Sequence, residues 1–92
     1  MKPLEIMTPV ISERQQKMID EVQQFIDAGC EAAELWKDDN VTTSRNVDLY
    51  ERTLRLMQVP VRTYDICQRR GKVIIKKHGV RLYNYQPKED NT

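Results

Sequence analysis

The sequence predicts a small α+β domain in which two helices pack on a three-stranded antiparallel meander. Two stretches carry apolar residues at helical spacing, and the stretch after the second helix alternates apolar and polar residues between turn signals. The chain has 92 residues, which is the length of one domain. We therefore expect residues 1–92 to form a single unit, with residues 1–7 and 87–92 flexible at its ends.

The first helix is predicted to begin at Thr8 or at Ser12, because either residue can cap a helix N-terminus and Pro9 suits the first helical position. Gly29 is the expected stop. An apolar stripe at helical spacing lies between these limits and consists of Ile11, Met18, Ile19, Val22, Phe25 and Ile26. The stripe predicts the face of this helix that packs on the core.

Residues 30–37 fit two structures. Ala33 and Trp36 continue the stripe of the first helix if that helix passes through Gly29, whereas alternating apolar residues suit a short strand. We favour a short edge strand or an irregular segment, followed by a turn at residues 38–40.

The second helix is predicted over residues 43–58, with capping residues at 42–44 and an end set by Pro60. Its core stripe consists of Val47, Tyr50, Leu54 and Met57. Leu49 and Leu56 lie off this stripe. Either the first helix covers these two leucines, or they belong to an interface with another protein.

The rest of the chain has the composition and alternation of β-strands. We predict strands over residues 61–67, 72–76 and 80–85, joined by turns at residues 68–71 and 78–79. These three strands would form the meander.

The second helix and the basic hairpin after it resemble, in layout, the last helix and wing of winged-helix DNA-binding domains. The resemblance covers residues 43–85 and implies that the hairpin contacts DNA. A full winged helix has three helices, whereas this sequence offers two.

Charge is distributed unevenly along the chain, although the net charge is only +1. Residues 1–40 carry a net charge of −5 and residues 41–92 carry +6. Residues 52–81 hold nine basic residues and one acidic residue. Such asymmetry is typical of proteins that bind a polyanion. The alternative is that the acidic first helix packs near the basic half and neutralises it.

The basic residues predict a nucleic-acid contact surface, because Lys and Arg gain affinity by neutralising phosphates and Arg also pairs with guanine edges. The predicted contact residues are Arg45, Arg52, Arg55, Arg69, Arg70, Lys72, Lys76, Lys77 and Arg81. Tyrosine rings on the strands either stack on bases or pack in the core. These tyrosines are Tyr64, Tyr83 and Tyr85.

The first functional hypothesis is a nucleic-acid-binding accessory protein of a bacterium, phage or mobile element, with DNA preferred over RNA. The second is a protein-interaction module, such as an adaptor or an inhibitor, anchored by Trp36, Leu49 and Leu56. A homodimer is a third alternative. Its seam would be the heptad-spaced residues of the first helix, which are Ile11, Met18 and Phe25.

Neither a metal nor a cofactor is expected, and we do not expect an enzyme. Cys30, Cys67 and His78 lack the paired spacing of a structural zinc site, and no oxyanion-stabilising group accompanies the cysteines. The three glycines lie too far apart for a phosphate-binding loop. The start of the sequence lacks the apolar region of a signal peptide, and no apolar run is long enough to span a membrane. We therefore expect a cytoplasmic protein with reduced thiols.

Overall fold

The computed structural model describes residues 11–60 and 62–82. These residues form two helices and three strands, in the order α1 (Glu13–Ala28), β1 (Ala32–Leu35), α2 (Thr43–Leu56), β2 (Tyr64–Arg69) and β3 (Lys72–Lys77). The predicted α+β class, with two helices and a three-stranded antiparallel sheet, is confirmed. The segments predicted to be flexible, residues 1–7 and 87–92, lie outside the described residues.

Helix α1 uses the second of its two predicted starts. The side chain of Ser12 accepts a hydrogen bond from the backbone N–H of Gln15 at 3.1 Å, which is the N-cap contact. Gly29 adopts a left-handed conformation with φ 72° and ends the helix, as predicted. Ile11 is 43% exposed, so the prediction that it belongs to the core stripe is wrong. Ile11 precedes the N-cap residue Ser12, so it lies outside the helix and the helical spacing does not place its side chain.

The sheet has the order β1-β3-β2, with β3 at its centre. Residues 30–37 therefore supply an edge strand, which is one of the two structures that the sequence favours over a continued helix. The third strand of the predicted meander is misplaced, because residues 80–82 form no strand and residues 83–85 lie outside the described part. Strand β3 has two sides, and β1 and β2 occupy both. The described residues after β3, 78–82, consequently add no strand beside it.

Helix α2 begins where the sequence predicts, since the hydroxyl of Thr42 accepts from the backbone N–H of Arg45 at 3.1 Å. It ends at Leu56, two residues before the predicted limit. Gln58 has φ 61°, and the N–H of Val59 bonds to the carbonyl of Leu54 at 3.0 Å. This is the Schellman end of a helix, with glutamine in the place that glycine usually takes.

The two helices cover one face of the sheet, the inner face, and the core lies between them. The buried core residues are Met18, Val22, Phe25, Leu35, Tyr50, Leu54, Ile66, Val73 and Ile75. Successive strand residues point to opposite faces, so Ile74 and its sheet neighbours Glu34 and Cys67 lie on the outer face. Ile74 is nevertheless fully buried there.

Asn46 holds the loop between β1 and α2. Its side-chain oxygen accepts from the N–H of Asp38 at 3.0 Å, and its amide nitrogen donates to the carbonyls of Asp38 and Thr42 at 3.1 and 2.9 Å. Asn46 is fully buried, and each of these bonds satisfies a polar group that burial would otherwise penalise. The start of α2 is thereby tied to the end of β1.

Candidate nucleic-acid interface

The tip of the β2–β3 hairpin is a two-residue turn formed by Arg70 and Gly71. Their φ angles are 55° and 76°, and positive values at both positions are the mark of a type I′ turn. Arg69 and Lys72 pair across the sheet just below the turn. Arg70 is exposed and Arg69 is half-buried, so Arg70 is the more accessible of the two arginines at the tip.

The start of α2 lies at the same end of the sheet as this tip. Residues from the β1–α2 loop and from the hairpin turn line one open cleft of about 420 Å³, among them Lys37, Asp39 and Gly71. Asn46 ties this loop to the first turn of α2. Arg45, which is exposed in that turn, therefore shares an end of the molecule with the hairpin tip.

The structure separates the nine predicted contact residues into groups. Lys76 and Lys77 lie at the opposite end of β3 from the tip, and Arg81 follows them. A six-residue strand is roughly 16–20 Å long, so these residues are remote from Arg70. Arg52 and Arg55 lie along the exposed face of α2, interspersed with the carboxylates of Asp48 and Glu51. The nine predicted contact residues therefore lie in more than one region of the molecule.

Two of the predicted lysines are paired with carboxylates on the outer face of the sheet. Lys72 contacts Glu34 at 3.2 Å, and Lys76 contacts Asp65 at 3.0 Å. His78 also approaches Asp65, with 3.2 Å between the ring nitrogen Nδ1 and a carboxylate oxygen. Partial burial opposes ionisation of Asp65, but the hydrogen bonds from Lys76 and His78 and their charges outweigh burial and lower its pKa. These pairs reduce the positive charge that the strands offer to a ligand.

The sequence offers, as an alternative, neutralisation of the basic half of the chain by the acidic first helix. Helix α1 packs against β1 and α2, and the side chains of Asp20 and Asp27 accept hydrogen bonds from glutamines of the same helix. None of the ion pairs recorded between described residues joins a carboxylate of α1 to the hairpin. Helix α1 thus packs against α2, an element of the basic half, and none of its carboxylates joins an ion pair with the hairpin among the described residues.

Trp36 is part of the framework that joins the helices to the sheet. Its backbone N–H donates to the carboxylate of Glu21 at 3.2 Å, and its carbonyl accepts from the hydroxyl of Tyr50 at 2.8 Å. The ammonium of Lys17 lies 4.7 Å from the centre of the indole ring. Trp36 is half-buried and packs against the core, so a structural role accounts for its position.

The two leucines predicted as interface anchors have different surroundings. Leu49 is half-buried and packs against the core. Leu56 is 50% exposed, on the same side of α2 as Arg45 and Arg52. Leu56 is thus the predicted anchor that solvent reaches most freely.

The described tyrosine of the strands packs rather than facing solvent. The rings of Tyr64 and Phe25 meet edge to face, with centroids 5.4 Å apart, and Tyr64 is half-buried against the core. This contact favours the packing alternative over base stacking at Tyr64. Tyr83 and Tyr85 lie outside the described residues.

A cleft between α2 and β2, which the sequence did not indicate, has a volume of about 350 Å³. Its lining combines apolar side chains with three charged residues. The lining residues are Glu51, Leu54, Arg55, Val59, Pro60, Tyr64, Asp65 and Ile66. The position of this α2–β2 cleft depends on how the helix crosses the sheet, and no local pattern encodes that crossing.

Cys30 is an exposed free thiol and Cys67 is a half-buried one. Burial raises the pKa of the Cys67 thiol, which disfavours the reactive thiolate. Within residues 11–60 and 62–82, no three His, Cys, Asp or Glu side chains are grouped to hold a metal ion. Neither described helix is long and apolar enough to cross a membrane.

No protein-family model matches the chain, and comparisons with curated proteins and with solved structures likewise found no match.

Proposed function

We propose that the protein binds nucleic acid, with DNA as the preferred partner, through a tip surface formed by Arg45, Arg69 and Arg70. The observation that carries the proposal is the shared position of the hairpin turn and the first turn of α2 at one end of the molecule. A guanidinium group binds phosphate through paired hydrogen bonds and stays charged at any physiological pH.

The backbone at this end supports the same assignment. The N-terminus of α2 carries the positive end of the helix dipole, which favours a phosphate near Arg45. The type I′ turn holds Arg70 at the apex of a hydrogen-bonded hairpin, so the side chain can reach a nucleic-acid backbone without unfolding of the sheet. Lys72 lies beside the turn, although its pairing with Glu34 reduces its share of the contact.

The proposal is tested by two variants that change the charge equally at opposite ends of the molecule. Arg45→Glu with Arg70→Glu alters the tip surface, whereas Lys77→Glu with Arg81→Glu alters the other end. Glutamate is compatible with the first turn of a helix, so the tip variant is expected to fold. Binding to random-sequence duplex and single-stranded DNA is measured by fluorescence anisotropy over roughly 50–200 mM salt.

We expect the tip variant to lose at least about tenfold in affinity and its log–log salt slope to fall by about two, while the control changes little. Equal losses in both variants would show that net charge, and not the tip surface, governs binding. Absence of binding by the unmodified protein at the lowest salt would overturn the proposal.

A further inference from the structure

The outer edge of β2 presents unpaired backbone groups. The N–H of His78 donates to the carbonyl of Thr63 at 3.1 Å, so Thr63 faces β3. In an antiparallel pair the backbone groups of alternate residues point to the same side. Asp65, Cys67 and Arg69 therefore also face β3. The N–H and C=O groups directed away from β3 belong to Tyr64, Ile66 and Gln68.

No strand of the described chain pairs with this edge, since the sheet ends at β2. An edge of this kind accepts an added strand, because every outward N–H and C=O gains a partner. Here the available length spans three outward residues. That is enough to align one extended segment.

The α2–β2 cleft lies directly beside the edge and on the inner face of the sheet. Ile66 and Tyr64 form its wall on β2, and Leu54 and Val59 form its apolar wall below α2. An added strand would place the side chain opposite Ile66 on this same face, because facing residues of paired strands share a side. A volume of about 350 Å³ accommodates one large apolar side chain.

Charge around the edge favours an acidic segment. Arg55 lies at the rim of the cleft beside the carboxylate of Glu51, and Arg62 and Arg69 lie before and after the outward residues. The charge of Asp65 is already paired with that of Lys76, at 3.0 Å. The Nε of Arg69 is buried and has no hydrogen-bond partner among the described residues.

We propose that β2 binds an extended, acidic segment of a partner protein as a fourth strand. The segment places a large apolar side chain in the α2–β2 cleft, opposite Ile66. It places a carboxylate on the outer face, opposite Arg69. Because these two β2 residues are three apart, the apolar and the acidic residue of the segment are also three apart. The site shares Arg69 with the tip surface, whereas its backbone edge and its cleft are distinct from that surface. A change at Gln68 therefore tests the edge without altering a residue of the tip surface.

The probe is a random octapeptide library displayed on phage and selected on the full chain. We expect the selected peptides to share an apolar residue and an Asp or Glu three positions away. A selected peptide is then synthesised and titrated against two variants at one site. Gln68→Pro removes an outward N–H and blocks the edge but leaves the β2–β3 hydrogen bonds in place, and Gln68→Ala is the matched control.

We expect Gln68→Pro to weaken peptide binding at least about tenfold and Gln68→Ala to change it less than about threefold. An unchanged circular dichroism spectrum establishes that the proline variant is folded. If the Gln68→Pro variant is unfolded, Val59→Trp, which fills the cleft, is used in its place. The expected loss of peptide affinity is the same. Peptides without the predicted pair, or equal binding by the blocked variant, would overturn the proposal.

Two further measurements identify the other possible occupants of the edge. Slow amide hydrogen exchange at Ile66 and Gln68 in the protein alone would mean that the chain's own residues cover the edge, which overturns the proposal. A dimer in sedimentation that Gln68→Pro dissociates would assign the edge to a second copy, with the same consequence. Fast exchange in a monomer supports the proposal.

Discussion

Asp65 joins β2 to the end of β3 through its contacts with Lys76 and His78. Because these contacts lower the pKa of Asp65 in the folded protein, they stabilise the fold above the ordinary aspartate pKa of about 4. The stabilisation is lost as the pH falls through the lower, folded value. The dependence on pH therefore lies in the acid range.

We expect Asp65→Asn to lower the free energy of unfolding at pH 7 by roughly 0.2–1 kcal/mol, the range for partly exposed ion pairs. The difference from the unmodified protein should shrink as the pH approaches about 2. Urea unfolding at several pH values measures it. Asp48→Asn is the control, since Asp48 is exposed and has no recorded ion pair among the described residues. A difference that persists undiminished in acid would contradict the electrostatic explanation.

The hairpin turn combines a backbone requirement with a charge. Arg70 holds φ 55°, a conformation that asparagine adopts more readily than arginine, and Asn-Gly is the preferred type I′ pair. We expect Arg70→Asn to raise the free energy of unfolding by about 0.5–1 kcal/mol and at the same time to weaken DNA binding. Urea unfolding and DNA titration of the same sample measure the two effects.

Arg70→Gln is the matched control for this prediction. It removes the same charge but lacks the preference of asparagine for positive φ, so it should lose DNA binding without a gain in stability. If Arg70→Asn binds DNA as the unmodified protein does, Arg70 does not contribute to the tip surface.

At the scale of elements, the sequence predicted the helix limits that are set by capping residues. Ser12, Thr42 and Gly29 mark helix limits because their capping roles are local. The predicted end of α2 was two residues too late because Gln58 has the left-handed conformation that ends the helix. Glycine usually takes that position and marks it in a sequence, whereas glutamine does not. The third strand of the sheet was misassigned because β1, and not residues 80–85, pairs with β3. The pairing of β1 with β3 joins residues about 40 apart in the chain, and the alternation within residues 80–85 cannot show that β1 takes this place.

At the scale of the whole molecule, the contacts of Trp36 tie β1 to both helices. Burial and then the nearby carboxylate of Glu21 raise the pKa of Tyr50, whose hydroxyl makes one of these contacts. The folded state keeps this proton when the unfolded chain has lost it. The protonated Tyr50 hydroxyl therefore contributes fully to the free energy of unfolding below about pH 10, the ordinary tyrosine pKa. This contribution is lost as the pH rises toward the higher pKa of the folded state.

We expect Tyr50→Phe to lower the free energy of unfolding at pH 7 by about 1–3 kcal/mol, because the carbonyl of Trp36 loses its partner. Above about pH 10 the unmodified protein should lose stability faster than the variant, so that the difference narrows. Denaturant unfolding from pH 7 to 11 checks both expectations. Tyr64→Phe, whose hydroxyl has no recorded hydrogen bond among the described residues, should show neither effect. A constant difference across this range would contradict the assigned role of the hydroxyl.

The candidate site was predictable only in part from the sequence. The basic residues of α2 and of the hairpin were found from composition, and the turn at Arg70 from its glycine neighbour. Which of them act together depends on the fold: Arg45 joins the tip, whereas Lys77 goes to the far end. Pairing of Lys76 with Asp65 across two strands is likewise a property of the register.

Trp36 is the single tryptophan of the chain, and its place gives the molecule a built-in optical reporter. The residue lines the cleft that also contains Gly71 and Lys72, so a ligand on the hairpin tip changes the environment of the indole. It follows β1, whereas the edge proposed for a peptide is that of β2, about 10 Å away across the sheet. Intrinsic fluorescence should consequently respond to nucleic acid and remain nearly constant with peptide, so the emission spectrum distinguishes the two ligands without any label.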